Sequence, residues 1–211
     1  RNQNKSVFPK TPQKELEITS NPLNFGLKLL KSVKVKMKQI AVIISFFCFS
    51  AFGCTTQPIS GTDYRSGANF NSQTLPKNKG TVVVFLSAKC PCSKSHEGSI
   101  EKLAQEFKDF SFIGVHSNTD EDRDLAALHF KEAGFSFPII HDSQAKIAND
   151  FGALKTPHAF VVGPKGECWF NGGVDDSREV SRAKQHYLKQ ALLEIQKGTE
   201  PKEKTARTLG C

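Results

Sequence analysis

No apolar stretch in this 211-residue sequence is long enough to cross a bilayer comfortably. The longest, Ile40 to Phe52, has thirteen residues, where a spanning helix needs about 20. There is no internal repeat, which argues against a stack of like units. Net charge is also scarce over most of the chain. The formal charge of +8 invites a nucleic-acid partner, but residues 1–53 hold nine Lys or Arg against two Glu. Taking these from the totals of 29 and 21 leaves 20 basic and 19 acidic residues, a net of +1, for residues 54–211. That part carries no phosphate-binding footprint, and nucleic acid is not an expected partner. Tryptophan and tyrosine are rare, so Trp169 and the seventeen phenylalanines are read as core. Nothing implies an organic cofactor.

What is present begins with the placement of the basic excess, directly before an apolar run in KVKMKQIAVIISFFCFSAFGC. A basic segment, an apolar segment and small closing residues are the layout of a secretory signal. Met37 is the sole methionine. Translation from it makes residues 1–36 an upstream basic extension and 37–53 the signal, and Cys48 would leave with it. Ala51-Phe52-Gly53-Cys54 resembles a bacterial lipobox, which implies lipidation of Cys54 and a membrane tether through a lipid anchor. It departs from that pattern at Ala51, where Leu is usual, and at Phe52, where a small residue is usual. Residues 54–74, rich in Ser, Thr, Asn and Gly, are expected to form a flexible tether. Residues 75–198 would be the folded domain and 199–211 a polar tail ending in Cys. The expected location is the bacterial cell envelope or periplasm, outside the reducing cytosol, where disulfides persist.

From Thr81 onward, strand-like and helix-like blocks alternate. TVVVFLS (81–87) is a short β-branched run of the kind found in a central strand. Ile100, Leu103, Ala104 and Phe107 mark a helical stripe within 95–110. SFIGVHS (111–117) reads as a strand. DEDRDLAALHFKEAG reads as a helix with acidic residues at its start and Gly134 at its stop. FPIIH (137–141) predicts a third strand and SQAKIANDFGA a short helix closed near Gly152. HAFVVG and ECWFNGG around Pro164-Lys165-Gly166 predict a hairpin. Apolar positions from Val180 to Ile195 predict a long helix over 177–196. Parallel crossovers followed by an antiparallel pair require helices on both faces of one sheet.

The stretch AKCPCSKSHE (88–97) puts two cysteines where a strand ends and a helix begins. A helix N-terminus presents unpaired N–H groups and partial positive charge, which stabilise a thiolate. Lys89 and Lys94 add to that field. Cys90 is therefore the expected nucleophile, and Pro91 fits the first helical position. In a regular helix, residues two apart point about 200° from one another. A Cys90–Cys92 disulfide thus needs Cys90 to precede the helix, and its ring of about 11 atoms would be strained and easily reduced. Cys92 is the first expected partner and Cys211, which has the reach of the tail, the second. Cys168 reads as a packed strand residue. A metal alternative uses Cys90, Cys92 and His96 to hold copper or zinc, since Cys92 and His96 share a helix face. His116 and His158 could line the cleft, and Glu97 or Asp142 could carry protons.

These motifs carry a resemblance. FLSAKCPCS, GALKTPHAFVV, GPKGECWFNGGVDDS and TLGC together resemble the redoxin branch of the thioredoxin-like proteins, which includes the alkyl hydroperoxide reductase and thiol-specific antioxidant proteins. The similarity runs from Val82 to Cys211. It implies an α/β thioredoxin-like fold with a central mixed sheet and helices on both faces, and thiol-disulfide exchange at Cys90 and Cys92. It also implies a cis Thr156-Pro157 bond beside the thiols, whose backbone offers an edge to an extended peptide. Expected partners are protein or small-molecule thiols and disulfides and an electron donor that the sequence does not identify. Peroxidases of this branch carry Pro and Thr shortly before the attacking cysteine. Val82 to Lys89 contains neither, which counts against the thiol-peroxidase alternative and leaves exchange intact.

Overall fold

The computed structural model describes Cys54, residues 57–76 and residues 79–211. Within these, seven strands form one sheet: β1 (Ser60–Asp63), β2 (Asn69–Asn71), β3 (Gly80–Phe85), β4 (Phe110–His116), β5 (Ile139–His141), β6 (His158–Val162) and β7 (Cys168–Gly172). Their order is β2-β1-β5-β4-β3-β6-β7. β3 and β5 run parallel to β4, while β6 is antiparallel to both β3 and β7. The helices are α1 (Pro91–Glu106), α2 (Arg123–Glu132), α3 (Lys146–Phe151) and α4 (Tyr187–Gln196). The upstream extension, the signal and Cys48 lie outside the described residues. Among those described, no helix is long and apolar enough to cross a membrane.

The two-residue period of β3 explains the layering. Val82, Val84 and Leu86 face one cluster, with Ile100 and Leu103 of α1, Phe130 of α2 and Leu188 and Leu192 of α4. Val83 and Phe85 face the other, with Ile147 and Phe151 of α3. A strand covered on both faces reads as an unbroken apolar run, which is why TVVVFLS is legible as central. Asp122 caps α2 by accepting from the N–H groups of Asp124 and Leu125. Gly134 then takes a left-handed φ of +74° just beyond its end, as the sequence leads one to expect. The expected α/β architecture, a mixed sheet with helices on both faces, is the one observed.

Three segments differ from expectation. Residues 60–71, read as tether, form β1 and β2, and β1 pairs with β5 through Thr62 and His141. The cause is Asp63, whose carboxylate accepts from the N–H groups of Arg65, Ser66 and Ile139 and so ties a polar turn to the sheet. The helix expected from Ser177 starts only at Tyr187. Asp176 closes a loop instead, its N–H donating to Gln185 O and its carboxylate accepting from Lys184 N. Residues 199–211 do not hang free: Asn171 N donates to Lys204 O, Ala206 N donates to Asn171 O, and Ala206 is buried.

The contact between β7 and this last segment is close. A Cβ on Gly172 would lie 2.7 Å from Ala206 Cβ and 2.8 Å from Ala206 N and O. Gly172→Ala is expected to push residues 204–206 off β7. It should cost about 1–3 kcal/mol in chemical denaturation, and the Ala206 amide should exchange hydrogen faster. Unchanged exchange at Ala206 would refute this account of the glycine.

Candidate functional site

β3 delivers the chain to Ser87, and a hydrogen-bonded turn passes it to α1. Ser87 Oγ accepts from Cys90 N at 2.9 Å and Lys89 N at 3.2 Å, while Ser93 Oγ accepts from Ser87 N at 3.1 Å. The Ser87 hydroxyl in turn donates to Glu121 Oε1. Glu121 Oε2 accepts from Ala88 N at 2.9 Å and lies 3.1 Å from His116 Nε2, and His116 Nδ1 lies 3.2 Å from Tyr64 OH. Burial pushes His116 below the ordinary histidine pKa against the pull of Glu121, and pushes Tyr64 up to about 12. Sequence reasoning missed both anchors. Ser87 had a signal, a hydroxyl three residues before a capping position. Glu121, 34 residues from Ser87, had none.

Cys90 is the N-cap of α1, with extended backbone angles, and Pro91 takes the first helical position. The Cys90 sulfur is bonded to Cys211, with Cα atoms 5.9 Å apart, and Cys92 is the free cysteine of the described residues. The first expected pairing is thereby corrected. Cys92 belongs to the helix, and its sulfur stays unbonded although those of Cys90, Cys92 and Cys211 all lie within 4.8 Å of one another. The Thr156-Pro157 peptide is cis, and Cys90 Sγ is 3.3 Å from Thr156 O. Cys211 and Thr156 exchange both backbone hydrogen bonds, at 3.2 and 3.3 Å. Cys90, Cys92, Thr156, Pro157 and Cys211 therefore converge. Lys89 is exposed, and its ammonium donates to Asp120 O at 3.4 Å.

His96 does not complete a metal set with Cys90 and Cys92. Its Nδ1 donates to Cys92 O at 2.7 Å, and its Nε2 lies 3.4 Å from Asp175 Oδ2, which turns both nitrogens away from the sulfurs. His186 Nδ1 is 2.6 Å from the other Asp175 oxygen. Burial opposes charge on His96, but its bonds to Asp175 and the Cys92 carbonyl outweigh burial and raise its pKa. Near Pro157, His158 is buried, and burial lowers its pKa although Nε2 bonds Asn171 at 2.6 Å. Glu97 pairs with His129, and Asp142 accepts from Ser117 Oγ and Ala148 N, so both carboxylates are held in structural contacts.

Cys54, expected to carry lipid, is bonded instead to Cys168. A sulfur in a disulfide carries no thioether, so the two uses exclude one another. Cys168 is correspondingly more than a packed strand residue.

The Redoxin family model matches residues 54–187. Among solved structures, a hypothetical protein from Sinorhizobium meliloti 1021 is similar at 21% identity and a TM-score of 0.67, over 75% of this chain and 91% of that one. An uncharacterized conserved protein from Geobacillus kaustophilus is similar at 24% identity and a TM-score of 0.65, over 73% of this chain and 86% of that one. No curated protein matches.

The His96–Asp175 pair gives a signed prediction. A histidine whose pKa is raised on folding contributes stability that is complete below its unfolded value of about 6.5. That contribution disappears as pH climbs through the folded value. His96→Gln is expected to cost about 2 kcal/mol at pH near 5.5 and less at pH near 9. Denaturant titrations of both proteins, repeated in a His186→Gln background because His186 shares Asp175, test this. A gap that widens with rising pH would contradict it.

Proposed function

Because the chain belongs to the Redoxin family, we propose that it is a thiol-disulfide oxidoreductase working outside the reducing cytosol through Cys90. The observation that carries this reading is the Cys90–Cys211 bond at the N-cap of α1, beside cis-Pro157. The reduced Cys90 thiolate, stabilised by the helix N-terminus, attacks a partner disulfide. One partner sulfur joins Cys90, and the other leaves as a thiolate. The Cys211 thiolate then attacks Cys90 and expels the first partner sulfur. The protein disulfide re-forms, and two electrons have passed to the partner. A dithiol donor must return those electrons. Cys92, with its sulfur within 4.8 Å of both others, supplies a further thiol for the same exchange. The signal-like segment 37–53 and the two disulfides support an extracytoplasmic setting.

The test is intact mass with alkylation, combined with reaction against an aromatic disulfide. The oxidised protein is expected to label at Cys92 while Cys90 and Cys211 stay linked. Cys90→Ser should lower the exchange rate at least about 100-fold, and Cys92→Ser with Cys211→Ser should trap the mixed disulfide. Full exchange by Cys90→Ser would overturn the proposal. Fast peroxide turnover would replace it with the peroxidase, and a stoichiometric copper or zinc adduct with the binding module.

A further inference from the structure

Cys211 is held against Thr156 as one strand of a ladder is held by another. Cys211 N donates to Thr156 O and Thr156 N donates to Cys211 O, the reciprocal pair of a narrow antiparallel contact. The residue before that pair is glycine. A Cβ on Gly210 would lie 2.1 Å from Thr156 O, 2.7 Å from Thr156 C and 3.2 Å from Thr156 N. These are backbone atoms next to the cis bond, so no side-chain rotation relieves the contact. Beyond the pair, a hollow of about 200 Å³ runs from Cys211 and Thr156 past Leu154, Ala148 and Ala145. Its wall is mixed, with Ser117, Asn118 and Asn149 beside the alanines, and Leu154 is 87% exposed.

From this we infer that the Thr156 edge selects an extended peptide with glycine immediately before its exchanging cysteine. Leu209-Gly210-Cys211 is the built-in occupant of that edge. The inference rests on the exchange reading above and adds the partner's sequence. Thr156 recognises main chain, so the pairing itself is indifferent to side chains. Selectivity comes from the absence of room for a Cβ one residue before the sulfur. The partner and residues 209–211 cannot occupy Thr156 together. A partner cysteine thus reaches Cys90 only as the chain's own segment leaves, and the Cys90–Cys211 bond closes when the segment returns.

The test uses the full chain with Cys48→Ser, Cys92→Ser and Cys211→Ser, so that Cys90 is the one thiol beside the Cys54–Cys168 disulfide. Two capped peptides, Thr-Leu-Gly-Cys-Leu and Thr-Leu-Ala-Cys-Leu, carry the cysteine as a mixed disulfide with thionitrobenzoate. Cys90 attacks the peptide sulfur, a Cys90–peptide disulfide forms, and thionitrobenzoate leaves as a coloured thiolate. The glycine peptide is expected to react at least about tenfold faster, the factor set by losing one to two backbone hydrogen bonds. Adding Gly210→Ala to the protein should speed the glycine peptide further by weakening the resident segment. Free dithiobis(nitrobenzoate), which needs no strand pairing, reports Cys90 reactivity alone. Normal reaction with that reagent and equal rates for both peptides would overturn the selectivity and leave exchange standing. A Cys90 inert to every reagent would overturn both.

Discussion

Glu121 is nearly sealed from solvent, and its carboxylate serves groups on three sides: the Ser87 hydroxyl, the Ala88 amide and the His116 ring. Removing a charged acceptor from such a place leaves several buried donors without partners, which costs more than the bonds themselves are worth. Ser87 then passes the constraint on, since the hydroxyl that donates to Glu121 accepts from the amides of Lys89 and Cys90. Ser87 to Cys90, four of the five residues between a central strand and a long helix, are thereby held in one conformation. Cys90 stands at the helix cap because of it, and everything attributed to Cys90 depends on that position.

The helix supplies what the turn positions. Cys90 offers no side-chain cap, so the amides of the first turn keep their partial positive charge free to act on a nearby sulfur. Cys92 lies inside that first turn, and its carbonyl is engaged by His96. The His96–Asp175–His186 group packs against the same turn and links it to the loop after β7. A proton on His96 is thus part of how α1 meets that loop, and not a ligand preference.

Much of this could be read from residue order. TVVVFLS, the helical stripes and the Pro-Gly hairpin each follow local periodicity, and local periodicity survives folding when both faces of a strand are covered. Cys90, Pro91 and Pro157 were legible because a cysteine-proline pair after an apolar run, and a Thr-Pro before another, restrict the backbone whatever surrounds them. What escaped was set by partners far away in sequence. Asp63 reaches across 76 residues to Ile139, and this turns an apparently loose polar stretch into sheet. Asp176 diverts a helical pattern into a loop. The choice of Cys211 over Cys92 depends on residues 204–206 lying along β7, which composition does not record.

The two disulfides differ in their surroundings. Each closes a loop of more than a hundred residues, with separations of 114 and 121, and loop closure on that scale restricts the unfolded chain by several kcal/mol in either case. Stabilisation therefore does not distinguish them; the neighbouring thiol does. Cys54 is buried beside β7, and the free thiol of the described residues lies at the other site. Cys211 is exposed, and Cys92 is half-buried next to it. Exchange requires a thiolate to approach a disulfide sulfur along the bond being broken, and among the described residues the free thiol, Cys92, lies within 4.8 Å of the Cys90–Cys211 pair. The Cys54–Cys168 bond ties the segment at Cys54 to β7, so opening the Cys90–Cys211 bond would leave that tie in place.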